Sequence, residues 1–245
     1  MLKIFKISFS IIIIAMMLMV TMIWFWKNDA FELKAAKIQG NRYVSKEDIF
    51  ELAGIDFSKD IFEVNTGEIE KRILKNGMIE KVSVTRFLPS ALKIKVKERD
   101  LIAAISGSGI SAVAVDGNIL TQFPMESVYD LPVITGFHFQ TDSAGMRSPD
   151  NPELVKQAVA MLNEIKSCDL VLYYELSDLN YSRDHGFIFY LKNKNVPVVF
   201  GFDDYSKKIQ YFLTIYHHLM DKNELAQAKV IDIRFKDQVV VKNRI

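Results

Sequence analysis

The longest apolar run of the chain lies near its start. Residues 7–26 carry no charged side chain, and their only polar side chains are Ser8, Ser10 and Thr21. A helix of about 20 residues is about 30 Å long, which matches the hydrocarbon core of a bilayer. The pattern therefore predicts a single transmembrane helix over residues 7–26.

The charges that flank this run predict its orientation. Lys3 and Lys6 precede it, whereas Lys27 and Asp29 nearly cancel after it. Because the positive flank of a membrane helix stays in the cytoplasm, residues 1–6 are predicted to be cytoplasmic and the rest to lie across the membrane. A cleaved signal peptide is the rival interpretation, but its apolar core would be shorter and would end in small residues.

The pattern of residues 31–99 predicts the order β-α-α-β-β. Ser45 and Asn65 are suited to cap two short amphipathic helices. In the last strand, apolar residues alternate strictly with lysines, which is typical of a strand with one buried face. The strands are predicted at residues 31–39, 81–87 and 91–97.

The pattern of apolar runs and turn residues in residues 100–245 predicts a second, strand-rich region. Asn151 and Pro152 open one helix, a second helix covers residues 205–220, and residues 138–151 read as a loop. Together the two regions predict an α+β fold whose second sheet is largely antiparallel. Its strands are predicted at residues 101–105, 112–115, 119–120, 131–136, 170–176, 187–191, 196–200, 230–235 and 238–242.

Composition narrows the possible functions. The chain has 245 residues, 31 basic and 30 acidic, for a net charge of +1. Without the three lysines of residues 1–27, 28 basic and 30 acidic residues remain, so no basic excess points to nucleic acid. The single cysteine, Cys168, closes no internal disulfide and builds no zinc site alone.

The sequence contains no G-x-S-x-G elbow, no H-E-x-x-H zinc helix and no P-loop. Neighbouring helical residues point about 100° apart, so His217 and His218 do not chelate one metal ion. Cys168 is interpreted as a small buried hydrophobic residue. Asp203 and Asp204 are interpreted as caps of the helix that follows them. No catalytic residue, metal ligand or cofactor is predicted.

Several short motifs follow one another along the chain. The first half carries I-Q-G-N from Ile38, V-x-V-x-R from Val82 and a strand that ends in Glu98-Arg99. The second half carries V-D-G-N-I-L from Val115, L-P-V-I-T-G from Leu131 and I-D-I-R-F from Ile231. Each motif alone is weak, but their order over about 200 residues is specific.

In this order the motifs resemble the FtsQ/DivIB family of bacterial cell-division proteins. The resemblance implies a POTRA domain at residues 31–99 and an FtsQ-type β domain at residues 100–245. It also implies a non-catalytic scaffold of the divisome, anchored in the cytoplasmic membrane at the septum, with its bulk outside the cytoplasm. The implied partners are small coiled-coil proteins like FtsB and FtsL and other divisome proteins, with no nucleic acid and no small-molecule substrate.

The family's described binding mode is strand addition at the last strand of the C-terminal domain. Arg234 and Phe235 fall where the family has a basic and an aromatic contact residue. The family often places a basic residue after the glycine that Gly201 matches, but Phe202 stands here, with Lys207 and Lys208 nearby as substitutes. From the residues alone, a last core strand already shielded by a helix is the favoured interpretation, because edge strands are common and usually protected. The implied partner-binding residues are Arg234, Phe235, Val239, Val240, Val241 and Lys242.

Two other functions stay open. A POTRA-bearing component of secretion or outer-membrane assembly would be expected to repeat the POTRA module, and no internal repeat is visible in the sequence. A membrane-tethered envelope enzyme would need a pocket with converging titratable groups.

Overall fold

The computed structural model describes residues 2–27, 30–107, 109–141, 147–192, 196–236 and 238–244, and excludes the side chains of residues 2–8, 10, 24–27, 141 and 147. The chain divides into two compact units, one up to Glu98 and one from Arg99 onwards.

The N-terminal unit begins with helix α1 (Leu2–Lys27). Its described large apolar side chains, at Phe9 and along residues 11–23, expose 49–73% of their surface. Among the described residues, no helix combines the length and hydropathy that a membrane crossing requires. Several side chains of the predicted membrane segment, those of Trp24 and Trp26 among them, lie outside the described residues, so that segment stays a prediction.

The rest of this unit has the predicted β-α-α-β-β order. Its sheet runs β1-β3-β2, with β1 parallel and β2 antiparallel to β3. The caps are confirmed, since the Ser45 hydroxyl and the Asn65 side-chain oxygen each accept a backbone N–H of the following helix. The elements are β1 (Ala35–Gln39), α2 (Lys46–Ala53), α3 (Thr66–Ile73), β2 (Ile79–Phe87) and β3 (Ala91–Glu98).

The first strand is shorter than predicted. Residues 31–34 precede β1, and residues 31–33 pair instead with the connection between α2 and α3. The N–H of Leu33 donates to the carbonyl of Lys59, and the N–H of Ile61 donates to the carbonyl of Phe31.

Glu98 and Glu70 accept hydrogen bonds from backbone N–H groups that are distant in the sequence of this unit. Glu98, 9% exposed, accepts from the N–H groups of Arg42, Tyr43 and Val44 at 2.7–3.1 Å. Glu70 on α3 accepts from the N–H of Val84 on β2 at 2.7 Å. Because an unpaired buried N–H is costly, these carboxylates contribute to stability beyond the apolar core.

The C-terminal unit is built on one large sheet. Among the described residues its strand order is β14-β13-β12-β11-β10-β7-β4-β5-β6, and five of the eight neighbouring pairs are antiparallel. The mixed, largely antiparallel sheet is as predicted. The strands are β4 (Leu101–Ser106), β5 (Ile110–Ala114), β6 (Ile119–Leu120), β7 (Val133–Thr135), β8 (Phe139–Thr141), β9 (Arg147–Pro149), β10 (Leu176–Ser182), β11 (Gly186–Leu191), β12 (Pro197–Gly201), β13 (Ala228–Asp232) and β14 (Val240–Asn243).

Among the described residues, three α-helices accompany this sheet: α4 (Pro152–Cys168), α5 (Leu170–Glu175) and α6 (Tyr205–Asp221). A short 3-10 helix also covers Met125–Val128. Apolar residues of α4 and α6 form one core cluster with the inward side chains of the strands. Within it, Phe200 of β12 lies edge-on to Phe212 of α6, with ring centroids 5.7 Å apart. This packing holds β12, and through it β13, against the helices.

The predicted strand at residues 170–176 is wrong. Residues 170–175 form α5, because the Asp169 carboxylate accepts from the N–H of Leu172 at 2.9 Å and caps a helix there. Tyr173 is fully buried and donates its hydroxyl to the carbonyl of Ile102 at 2.6 Å. The strand that follows, β10, was not predicted.

The predicted loop at residues 138–151 is also wrong in part. It contains β8 and β9, which pair antiparallel with each other from Phe139 opposite Pro149 to Thr141 opposite Arg147. Residues 142–146 lie outside the described residues.

Candidate partner-binding edge

Strand β14 lies at one edge of the large sheet. It pairs antiparallel with β13, with Val240 opposite Asp232 and Lys242 opposite Val230. Within the described part of the chain, no strand lies on its other side. An edge strand of this kind presents unpaired N–H and C=O groups, which is the template that another strand needs.

Packing on one face holds β14 in place. Val239, just before the strand, and Val241 are partly buried against the core cluster. Val240 points to the other face and is half-buried, whereas Lys242 is exposed. Beyond the strand, the N–H of Arg244 donates to the carbonyl of Gln227 at 2.8 Å, so the strand is fixed at its end as well.

Arg234 is held by a carboxylate of its own chain. Its Nε and Nη2 donate to the two oxygens of Asp232 at 2.7–3.3 Å. These bonds hold the pKa of Asp232 below its usual range and raise the pKa of Arg234. The Arg234 side chain keeps 39% of its surface exposed. Sequence reasoning missed this pair, whose signal is a carboxylate two residues before the arginine at a strand end.

Two exposed aromatic side chains follow the strands beside this edge. Phe235 comes after β13 and is 50% exposed, and Phe202 comes after β12 and is 53% exposed. Because β12 and β13 are parallel, their carboxyl ends lie at the same end of the sheet, and both phenylalanines come just beyond that end. A side-chain Cβ at Gly201 would lie 3.1 Å from Cγ of Arg234, which shows how closely the two segments approach.

The ammonium group of Lys208 is bound by groups of its own chain. It is 7% exposed, and its Nζ donates to the carbonyl of Phe200 at 3.0 Å and to the Asp203 carboxylate. That contact lowers the pKa of Asp203. Asp204 occupies the N-cap position of α6, as predicted, but its side chain makes no cap hydrogen bond, so a hydrogen-bonded cap is wrong for this residue. Lys207 lies with its Nζ 5.4 Å from the ring of Tyr211.

The other residues considered for chemistry do not form a site together. His217 Nε2 lies 2.8 Å from the Asp169 carboxylate, on the helical side of the unit. Cys168 is exposed, contrary to the prediction of a buried residue. Among the described residues, no group of three or more His, Cys, Asp or Glu side chains is placed to hold a metal ion.

Known proteins match the chain in both regions. Residues 31–99 match the family model of the POTRA domain, FtsQ-type, and residues 103–234 match that of cell division protein FtsQ/DivIB, C-terminal. The second match alone covers more than half of the chain.

Individual relatives agree with these matches. The cell division protein FtsQ of Geotalea daltonii is 25% identical over 215 residues, which cover 86% of this chain and 76% of the relative. FtsQ of Geobacter sp. strain M21 is 28% identical over 212 residues, covering 86% and 75%. The cell division protein DivIB of Staphylococcus pseudintermedius is 30% identical over 106 residues, covering 43% and 36%. The chain therefore belongs to the FtsQ/DivIB family of cell division proteins.

Proposed function

We propose that this cell division protein is a non-catalytic scaffold that captures a pair of small coiled-coil membrane proteins like FtsB and FtsL. In this proposal a strand of the partner adds to the outer side of β14. The observation that carries the proposal is the position of β14, which among the described residues has a neighbouring strand on one side only.

Backbone geometry supports strand addition at this edge. In an antiparallel pair, successive residues alternately direct their N–H and C=O groups towards the partner strand and away from it. The register from Val240 to Lys242 is uninterrupted, so one of Val240 and Val241 directs both groups outward. An added strand gains affinity from such main-chain hydrogen bonds and specificity from side-chain pockets.

The side chains beside the edge supply the specific contacts in this proposal. Phe235 and Phe202 offer exposed aromatic surface, of the kind that contributes strongly at the centre of an interface. Asp232 holds Nε and Nη2 of Arg234, and we assign Nη1 to a partner carboxylate. Three further residues complete the site. Val239 and Val241 pack the strand on the core, and Lys242 supplies a charge that faces the solvent.

The membrane anchor is part of the same proposal. Residues 7–26 cross the cytoplasmic membrane, residues 1–6 stay in the cytoplasm, and residues 31–99 and 100–245 lie outside it at the division septum. The uncharged run of residues 7–26 and the lysines before it support this topology.

Proline substitution tests the edge. Val240→Pro and Val241→Pro each remove one backbone N–H donor. One of these two N–H groups points towards β13, and the other points outward, where the partner strand would add. We expect both full-length variants to lose capture of an FtsB–FtsL pair by at least about 100-fold in Kd, which equals about 2.7 kcal/mol. Ile119→Pro on β6, at the opposite edge of the sheet, is the matched control and keeps the wild-type Kd.

Thermal unfolding of each variant separates lost binding from lost folding. The variant whose proline replaces the outward donor keeps the wild-type melting temperature and still fails to bind. Full capture by both β14 variants, or equal loss in the β6 control, would refute strand addition at β14.

A further inference from the structure

A second exposed apolar surface lies on the N-terminal unit. At the end of the small sheet where β2 finishes and β3 begins, Phe62, Phe87 and Leu88 expose 58%, 68% and 55% of their surface. We call these three side chains the apolar rim. Three exposed apolar side chains at one end of a small module are more than scattered surface residues, and such patches mark interaction sites.

Hydrogen bonds join the segments that carry the apolar rim. Arg86 donates through Nε and Nη2 to the carbonyls of Ile61 and Val64, which ties β2 to the segment of Phe62. The N–H of Lys34 donates to the carbonyl of Ser90 in the turn after Leu88. The apolar rim is therefore one fixed surface, although its residues come from two segments of the chain.

The same surface adjoins the start of the folded module. The ring centroid of Phe31 lies 5.4 Å from that of Phe62. Helix α1 ends at Lys27, and the four residue steps to Phe31 span at most about 14 Å. If residues 7–26 cross a bilayer, this tether keeps the apolar rim within reach of the headgroup layer, where aromatic side chains are favoured.

We propose that the apolar rim lies in the interfacial layer of the lipid bilayer and so holds the POTRA module against the membrane. This inference rests on the proposed membrane anchor. The charges around the apolar rim are mixed, with Glu32 and Glu63 exposed beside Lys34 and Arg86. Contact is therefore driven by apolar burial, and it occurs on zwitterionic lipid without a need for anionic headgroups.

Spin-label accessibility in vesicles tests this position. The full chain with Cys168→Ser carries a nitroxide at Leu88→Cys, and is reconstituted in phosphatidylcholine vesicles. Leu74→Cys is the matched control, since Leu74 is 45% exposed and follows α3 near the start of β2. From that start, β2 extends about 26 Å to Phe87 at the rim. We expect the Leu88 label to be several-fold less accessible to a water-soluble nickel complex than the Leu74 label, and more accessible to oxygen.

Oxygen distinguishes lipid from protein as the cover. A label in lipid gains oxygen accessibility, whereas a label covered by a second copy or another protein loses accessibility to both reagents, and that result would overturn the inference. A label at Phe62→Cys repeats the measurement on a separate segment of the rim.

A label at Ile14→Cys distinguishes failure of the rim from failure of the anchor. If the Ile14 label lies in the hydrocarbon core while Leu88 and Leu74 are equally exposed to nickel, the rim inference fails and the anchor stands. If the Ile14 label is exposed to water, the anchor and the rim inference fail together.

Discussion

The small sheet of the N-terminal unit and the large sheet of the C-terminal unit differ at the edge strands β2 and β14. In the N-terminal unit, β2 is an edge strand whose outward N–H at Val84 is already bonded to Glu70 of the adjacent helix. In the C-terminal unit, β14 is an edge strand whose outer side contacts no other described strand. Proteins commonly protect such edges against unwanted pairing. The contrast favours β14 over β2 as the edge for the proposed strand addition.

The side chains of the two strands follow the same contrast. β2 contains Glu80, Lys81 and Arg86, and charged residues on an edge strand disfavour pairing with a foreign strand. β14 begins with two β-branched valines and has its first charge only at Lys242. Its composition suits a strand that accepts another strand.

Removing the Glu98 carboxylate is expected to have the largest effect on stability. Glu98→Ala leaves three buried or half-buried N–H groups without an acceptor, so the N-terminal unit should lose about 3 kcal/mol of unfolding free energy. Chemical denaturation of the full chain, followed by a probe in this unit, measures the loss. Glu98→Gln keeps one acceptor oxygen and should lose less, and equal losses in the two variants would contradict the assigned role.

Removing Glu70 should open the protected edge. Glu70→Ala frees the N–H of Val84, so we expect a loss of about 1.5 kcal/mol together with new self-association through β2. Denaturation and sedimentation velocity measure the two effects. Glu68→Ala is the matched control on the same helix, because its 3.9 Å contact with Arg72 is largely solvent-exposed and contributes little. A monomeric Glu70→Ala protein would show that Glu70 does not protect the edge.

Removing the Asp232 carboxylate should have the smallest effect on the free energy of unfolding. Its pKa is lowered from 3.8 in the folded protein, so its contribution to stability is present above that pH and is lost as the pH falls through the lowered pKa. Asp232→Asn should therefore cost about 1 kcal/mol at neutral pH, and the difference from the wild type should vanish in strong acid. Unfolding curves between about pH 7 and pH 2 measure this convergence. A difference that does not change with pH would contradict the ion pair with Arg234.

Local signals in the sequence predicted the helix starts well. The side chains of Ser45, Asn65 and Asn151 act within one turn of their own position, so their capping bonds need no tertiary information. Residues 170–175 form a helix although their valine and tyrosine side chains favour a strand when taken alone. The cap at Asp169 and the burial of Tyr173 stabilise the helix instead. The burial of Tyr173 depends on the whole fold, so the local sequence does not predict it.

The edge strand was predictable from the sequence, but its surrounding contacts were not. The β-branched valines at residues 239–241 indicated a strand, which β14 confirms, and the resemblance to a family implied the use that stays a proposal. The bonds of Arg234 to Asp232 and of Lys208 to Asp203 were not predicted, because they depend on how side chains at strand and helix ends meet. The same holds for Glu98, whose N–H donors lie more than 50 residues away in sequence.

Hydrogen exchange at the two edges tests the central claim most directly. Amide exchange of the full chain is measured with and without an FtsB–FtsL pair, and the amides of Val240–Asn243 are compared with those of Ile79–Phe87. The outward amides of β14 should exchange more slowly when the pair is bound, because they then donate to the added strand, while those of β2 stay unchanged. Unchanged exchange in β14 despite binding, or equal slowing in β2, would contradict strand addition at this edge.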